Sequence, residues 1–252
     1  MLDLSAQVVL ITGANRGIGE ATARAFASVG AQVGVHYHRD EARAQRVVRD
    51  INTRGVRAVA LAADLRVWDE GESLVAACEA ALGPPDVVVL NHGIWTEASI
   101  DTMTEAQYDE MLATNLKGVF SVAGAAARSM KPRRRGSIVL VSSTAGQRGE
   151  AHHSHYAATK GAVISLTKSL APELAPWGIR VNCVAPGWVR TDMTEPTLAD
   201  SASNARVLGT IPLGRVATPD EIAQPIVFVA SLMAAFVTGE ILNVNGGAVL
   251  VG

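Results

Sequence analysis

The residues best suited to do chemistry are a tyrosine and a lysine four positions apart, Tyr156 and Lys160. On a helix this spacing places both side chains on one face. An ammonium group beside a phenol favours the phenolate, so we expect Lys160 to lower the pKa of Tyr156 from its usual value near ~10. Such a tyrosine can pass a proton to or from a substrate oxygen. Ser143 follows a predicted strand, and its hydroxyl could hold that same oxygen. A solvent-exposed pair on an ordinary helix is the alternative interpretation.

A glycine-rich turn near the N terminus predicts a dinucleotide site. Residues 7–12 (QVVLIT) form a predicted buried strand, and residues 20–29 have helical apolar spacing. Glycines between them let the backbone approach a pyrophosphate, while the helix N terminus offers free N–H groups and partial positive charge. The spacing is G-x-x-x-G-x-G rather than the general G-x-G-x-x-G. The turn reads Gly13-Ala14-Asn15-Arg16-Gly17-Ile18-Gly19.

The end of the second predicted strand, residues 32–37, favours NADP(H) over NAD(H). In a NAD site an acidic residue here would hydrogen-bond the ribose hydroxyls. This strand instead ends in Tyr37-His38-Arg39, with no carboxylate before Asp40. Arg16 and Arg39 are expected to pair with a 2′-phosphate, because guanidinium binds phosphate well. Two solvated surface arginines are the alternative.

Strands and helices alternate along the whole chain. This order predicts an α/β fold in one domain over residues 1–252, a doubly wound, mostly parallel seven-stranded sheet with helices on both faces. Ligands in such folds bind beyond the carboxyl ends of the strands, where all the motifs above fall. The other predicted strands are 56–62, 86–90, 137–142, 180–185 and 241–244, and the other helices are 41–53, 68–82, 104–130, 156–177 and 219–233.

Composition and charge argue against several classes of function. The formal net charge is −2, without the basic excess of nucleic-acid binders. Two separated cysteines indicate buried thiols in a reducing cytoplasm. The histidines at 152, 153 and 155 lack companion ligands, so no metal site is predicted. Neither a signal peptide nor an apolar run of ~18 residues is evident, which predicts a cytoplasmic protein without membrane spans.

Two segments are expected to shape the substrate site, a polar loop at 146–155 and a mobile lid at 195–208. The apolar tail 248–251 predicts a subunit contact. A carboxylate at Asp64, after the third strand, is expected to accept from an adenine amino group or to cap the next helix.

Together these features resemble the short-chain dehydrogenase/reductase family over essentially the whole chain. Within it, the chain is most similar to the β-oxoacyl-(acyl-carrier-protein) reductase-like members, whose tail resembles residues 238–247 (TGEILNVNGG). The matching motifs are Thr12-Gly13-x-x-x-Gly17-Ile18-Gly19, Asp64, Asn91-x-Gly93, Asn115, Ser143, Tyr156-x-x-x-Lys160, Pro186-Gly187 and Thr191.

The resemblance implies a Rossmann-type domain, hydride transfer between a nicotinamide and a carbonyl or alcohol, and a homotetramer. It implies that Tyr156 is the general acid or base and that Lys160 tunes it and holds the nicotinamide ribose. It also implies that Ser143 orients the substrate oxygen and that Asn115 positions a water joining Lys160 to solvent. The expected cofactor-binding residues are Gly13, Asn15, Arg16, Gly17, Ile18, Gly19, Tyr37, His38, Arg39, Asp64, Leu65, Asn91, Gly93, Tyr156, Lys160, Pro186, Gly187, Val189 and Thr191.

Two departures from the family pattern affect the substrate and the cofactor. His92 replaces the alanine of the usual Asn-Asn-Ala-Gly motif and adds bulk near the expected nicotinamide ribose. Of two basic positions that dock an acidic acyl carrier, one falls on Arg134 and the other on Trp177. Carrier docking and a free small ketone or alcohol therefore stay open. So do an NAD-dependent dehydrogenase of a sugar, polyol or steroid, and a regulatory nucleotide-binding protein without turnover.

Overall fold

The computed structural model describes residues 3–5 and 7–251 and contains a seven-stranded, fully parallel sheet. The strand order is β3-β2-β1-β4-β5-β6-β7, so the direction of winding reverses between β1 and β4. This confirms the predicted doubly wound α/β architecture. The strands are β1 (Val8–Ile11), β2 (Gln32–Tyr37), β3 (Ala58–Ala62), β4 (Val87–Leu90), β5 (Gly136–Val141), β6 (Ile179–Pro186) and β7 (Ile241–Val244).

Helices cover both faces of this sheet. Along β1, Val9 and Ile11 belong to one core cluster, whereas Val8 and Leu10 belong to the other, as the two-residue repeat of a strand requires. The helices are α1 (Gly17–Ser28), α2 (Glu41–Asn52), α3 (Trp68–Leu82), α4 (Glu105–Leu112), α5 (Gly118–Met130), α6 (Thr144–Arg148), α7 (Ser154–Leu174), α8 (Glu195–Ala199), α9 (Ser201–Gly209) and α10 (Pro219–Ala230).

The single helix predicted over 104–130 is wrong in one respect. A wide π-type turn at Ala113–Lys117 separates α4 from α5, and Asn115 lies within it. Such turns are rare and often mark functional sites, because the extra residue redirects a side chain. Helical periodicity alone does not distinguish one π turn from a continuous α-helix.

Two other segments contain helices that the sequence analysis did not predict. The loop predicted at 146–155 overlaps the short helix α6 and the first turn of α7. The predicted lid at 195–208 is folded into α8 and α9, which pack through a small apolar cluster of Leu198, Val207 and Ile211. Among the described helices, none is long and apolar enough to cross a membrane.

Candidate active site

A cleft of about 530 Å³ opens beyond the carboxyl ends of β1, β4, β5 and β6. Its size is typical of a small-molecule or cofactor site. It brings together most of the residues predicted from sequence: Gly13, Asn15, Arg16, Gly17, Ile18, His38, Arg39, Asp64, Leu65, Asn91, Gly93, Ser143, Tyr156, Lys160, Pro186, Gly187, Val189 and Thr191. Gly19, Tyr37 and Asn115 do not line it.

The glycine-rich turn is built as a cradle for a pyrophosphate. Gly13 and Gly17 have φ angles of 63° and 54°, which favour glycine. Helix α1 begins at Gly17 and has no side-chain cap, so its first N–H groups are available to an anion. A Cβ atom on Gly19 would lie 2.1 Å from the Gly13 carbonyl oxygen, so this glycine serves close packing of α1 against the turn. The turn therefore fits a dinucleotide.

His36 holds this turn in place, and sequence reasoning missed it. Its Nδ1 accepts from the Gly13 N–H at 2.9 Å, and its Nε2 lies 3.1 Å from the Ala63 carbonyl oxygen. The first contact requires an unprotonated Nδ1, so Nε2 carries the proton and donates it to Ala63. Burial lowers the pKa of His36 to about 4. The neutral ring thus ties the glycine turn to the end of β3.

Asp64 is already occupied by protein partners. Arg66 forms a two-pronged ion pair with it, with Nη2 2.6 Å from Oδ2, and His38 lies 3.5 Å away. Hydrogen bonds from Arg66 hold the pKa of this carboxyl well below its usual range. The alternative of a helix cap is wrong, because α3 is capped at Val67 without a side-chain bond. An adenine amino group would therefore share an acceptor that Arg66 already uses.

The charges near the end of β2 leave two arginines available. Arg43 pairs with both Asp40 and Asp192, which neutralises these cleft carboxylates. Within the described part of the chain, neither Arg16 nor Arg39 forms an ion pair. The cleft therefore offers two guanidinium groups near the glycine turn and no free carboxylate to oppose them at this point.

Tyr37 has a packing role rather than the predicted place in the cleft. It pairs with Ala62 in the register of β2 and β3 and packs against the core cluster beneath α1 and α2. The alternation of a strand explains the error, since the residues on either side of it, His36 and His38, line the cleft instead.

Ser143, Tyr156 and Lys160 meet at the other end of the cleft. Ser143 is the N-cap of α6, and Tyr156 and Lys160 lie one turn apart on α7. The Lys160 Nζ donates to the Val141 carbonyl oxygen at 2.9 Å and lies 5.8 Å from the centre of the Tyr156 ring. Substrate oxygen, phenol and hydroxyl can therefore meet at one point.

The prediction that the pKa of Tyr156 is lowered is wrong for the protein without bound ligands. Burial raises the pKa of Tyr156 to about 12, while a hydrogen bond with Ser143 opposes that rise. Burial also lowers the pKa of Lys160 to about 8. The physical reason is that burial disfavours the phenolate more than the Ser143 hydrogen bond stabilises it, while the Lys160 ammonium group is directed to the Val141 carbonyl.

Asn115 is buried behind the residues that line the cleft. Its Oδ1 accepts from the Ile94 N–H at 2.8 Å, and its Nδ2 donates to the Ile94 carbonyl at 2.9 Å. The fully buried amide thereby clamps the segment after β4 to the π turn. A Cβ on Gly93 would lie 3.2 Å from Asn115 Oδ1 and 3.6 Å from Lys160 Nζ, so these three residues are neighbours. The water-positioning role of Asn115 stays a prediction.

His92 is accommodated in the interior of the protein, beside Thr12. The ring is buried, and Nδ1 lies 2.7 Å from the Thr12 hydroxyl. Burial, followed by the neighbouring His36 and Lys160, lowers its pKa to about 3, so the ring is neutral near pH 7. Its Nε2 has no hydrogen-bond partner among the described residues.

Sequence reasoning missed several other residues of the cleft. Most of them are adjacent in the chain to residues that the sequence analysis identified. Residues next to one another at the end of a strand lie close to the same site. Adjacency to a predicted strand end is therefore the signal that could have identified them. These residues are Asp40, Ala63, Arg66, Ile94, Glu110, Thr114, Val141, Ser142, Asp192, Met193 and Thr194. No group of three metal-binding side chains occurs in the part of the chain that the structure describes.

The three arginines at 133–135, which precede β5, mostly contact other residues of the protein. Arg133 and Arg135 both pair with Asp86. Arg134 donates to the Pro176 carbonyl at 2.7 Å and lies over the Trp177 ring, 5.7 Å from its centre. The two positions expected to dock an acyl carrier therefore contact each other.

Comparison with known proteins shows which enzymes the chain resembles. Residues 13–249 match the family model described as Enoyl-(Acyl carrier protein) reductase. The chain is 43% identical over 245 residues to the L-rhamnose 1-dehydrogenase (NAD(P)(+)) of Azotobacter vinelandii, covering 96% of each protein. It is 40% identical over 238 residues to the 3-oxoacyl-[acyl-carrier-protein] reductase FabG of Staphylococcus aureus, covering 94% of this chain and 96% of that protein. The crystal structure of gox2181 matches with a TM-score of 0.94 and 32% identity, covering 98% of this chain and 97% of the other.

Proposed function

The chain belongs to the short-chain dehydrogenase/reductase family, whose members are oxidoreductases of carbonyl and alcohol groups, and on that premise we propose an NADP(H)-dependent reductase or dehydrogenase. The observation that carries the proposal is one cleft that holds both the glycine turn and the set Ser143, Tyr156 and Lys160. A dinucleotide site alone would suit a regulatory protein, whereas a proton donor beside it suits turnover.

Each side chain then has a distinct task. A nicotinamide held in the cleft would supply or accept the hydride, which is chemistry that no side chain here provides. Tyr156 gives its phenolic proton to the substrate oxygen in reduction and takes that proton in oxidation. Ser143 hydrogen-bonds the same oxygen. Lys160 supports the phenolate by its charge and binds ribose hydroxyls, and Asn115 supplies the water path to solvent.

The preference for NADP(H) over NAD(H) is supported by charge. Arg16 and Arg39 lack ion-pair partners among the described residues, while Arg43 holds both Asp40 and Asp192. A 2′-phosphate would therefore meet guanidinium groups and no free carboxylate. Cys78 and Cys183 are buried and unpaired, which is consistent with the proposed cytoplasmic location.

Two substrate classes follow from the relatives, a 3-oxoacyl thioester and a sugar. Contact of Arg134 with Trp177 and the Pro176 carbonyl supports a free small carbonyl or alcohol over a carrier-bound one, because this guanidinium already has protein partners. We also propose a homotetramer, supported by apolar side chains left open to solvent, such as Leu232, Phe236 and Leu250. Light scattering after size exclusion would measure the number of subunits.

The proposal is tested by incubating the purified protein with a panel of carbonyls and alcohols. Turnover is followed at the NADPH absorbance, with NADH in parallel. We expect turnover of at least one substrate and a higher kcat/KM with NADPH. Tight NADPH binding without turnover on a broad panel would favour a regulatory protein. A clear preference for NADH would overturn the charge argument at Arg16 and Arg39.

A further inference from the structure

Three loops meet near the start of α7 and form a polar and aromatic corner. Trp95 follows the end of β4, Glu150 precedes α7, and Trp188 follows β6. The indoles of Trp95 and Trp188 are 5.9 Å apart at 86°, and the ring of His153 stacks on Trp95 at 4.4 Å. All four side chains are half-buried, so each keeps part of its surface open. We call Trp95, Glu150, His153 and Trp188 the aromatic corner.

None of the four residues of the aromatic corner lines the cleft, but neighbours of its two tryptophans in the chain do. These tryptophans directly follow Ile94 and Gly187, which line the cleft. His153 precedes the catalytic tyrosine by three residues, on the turn that opens α7. A substrate held with its oxygen at Tyr156 and extending toward Ile94 and Gly187 would therefore approach the corner.

Glu150 is fixed in orientation but keeps acceptor capacity. One oxygen, Oε2, accepts from the Trp95 indole N–H at 3.3 Å. An ionised carboxylate has two oxygens with about four acceptor positions. Most of these remain for ligand hydroxyl groups, and hydrogen bonds to a charged acceptor are the stronger kind. The same charge repels a carboxylate or phosphate on a substrate.

The chemistry of the corner selects one class of substrate. Indole faces attract the C–H edges of a ring, and a carboxylate attracts adjacent hydroxyls, so both surfaces suit a molecule with alternating C–H and O–H groups. Resting on the proposed function, we infer that the substrate is a neutral polyhydroxylated ring, a sugar in its cyclic form or a cyclic polyol. In oxidation the ring carbinol loses its C–H as hydride to the nicotinamide and its O–H proton to Tyr156, leaving a carbonyl.

The folded lid holds one side of this corner. Trp188 packs against the cluster of Leu198, Val207 and Ile211 that joins α8 to α9. Its carbonyl accepts from the Ala217 N–H at 3.0 Å. The indole of Trp188 is therefore supported by the segment that contains α8 and α9.

The inference is tested by comparing kcat/KM for three groups of probes. These are free sugars and polyols (L-rhamnose, D-glucose and myo-inositol), a simple ketone (cyclohexanone) and an acetoacetyl thioester. At least one polyhydroxylated ring should exceed the thioester. Glu150→Gln should lower the ratio of kcat/KM for that ring over cyclohexanone by about 10-fold or more, since it loses charge-assisted hydrogen bonds. The exposed Glu97 offers the matched control, and Glu97→Gln should leave the ratio unchanged.

A binding measurement separates recognition from turnover. Saturating the protein with the preferred ring should change the tryptophan fluorescence, and Trp188→Phe should reduce that change, because Trp68 and Trp177 lie on the exposed surface away from the cleft. A thioester better than every ring, an unchanged ratio in Glu150→Gln, or a fluorescence change independent of Trp188 would overturn the inference. Turnover of cyclohexanone alone would reject the sugar substrate and keep the proposed function; no turnover of any probe would reject both.

Discussion

Gly19→Ala tests whether the cradle depends on close packing of α1. A Cβ at this position would lie 2.1 Å from the Gly13 carbonyl oxygen and 2.7 Å from Asn91 Nδ2. A backbone oxygen cannot rotate away, so the overlap places this change at the upper end of overpacking, roughly 3 kcal/mol. Alanine regains about 1 kcal/mol of helix propensity over glycine. The expected net loss of unfolding free energy is therefore about 2 kcal/mol.

The expected loss can be measured in two ways. Thermal denaturation should show a Tm lower by about 4–8 °C, from the usual scaling for a chain of this size. The NADPH Kd should rise at least about 10-fold, because small misplacements of a binding group are costly. Gly209→Ala is the matched control, since its Cβ would meet no atom within 4 Å. Wild-type stability and NADPH affinity in Gly19→Ala would refute the packing argument.

Three further predictions concern charge, pH and the wall of the cleft. Removing the guanidinium of Arg39 (Arg39→Ala) should lower kcat/KM for NADPH relative to NADH by about 10-fold or more, and an unchanged ratio would place the 2′-phosphate elsewhere. The pKa of His36 is about 4 in the folded protein, below its usual 6.5. Between these two values the unfolded chain binds a proton that the folded chain does not. The free energy of unfolding should therefore fall by about 3 kcal/mol on account of His36 as the pH drops from 6.5 to 4. Urea unfolding at several pH values should show a smaller decline in His36→Asn, and an equal decline would contradict the assignment. Asn115→Leu should cost about 3 kcal/mol in urea unfolding by leaving the Ile94 N–H and carbonyl unpaired, and a loss below about 0.5 kcal/mol would contradict the clamp.

The sheet could be predicted from sequence because its signals are local. A short β-branched run, a glycine turn and a periodic helix recur in order, and each constrains the backbone directly. The strand ends then bring Gly13, Asn91, Ser143 and Gly187 to one edge, since parallel strands share direction. The position of the cleft could be predicted mainly from the topology of the sheet and less from any single motif.

The electrostatics could not be predicted in this way. The spacing of Tyr156 and Lys160 indicates proximity, yet the pKa values depend on burial and on where the ammonium points, which here is toward Val141. Arg66 follows Asp64 by two residues, but only the loop conformation turns it back onto that carboxylate. The role of His36 depends on a contact across 23 positions with Gly13.

The central claim is that Tyr156 transfers the proton to or from the substrate oxygen, and Tyr156→Phe tests it most directly. The change removes one hydroxyl and keeps the ring that packs near Lys160. On the best substrate from the panel, kcat should fall by about 100- to 10,000-fold, the usual contribution of a general acid or base. NADPH binding, measured by fluorescence, should stay within about threefold of wild type, a change below 1 kcal/mol. Near-full turnover of Tyr156→Phe would contradict the account.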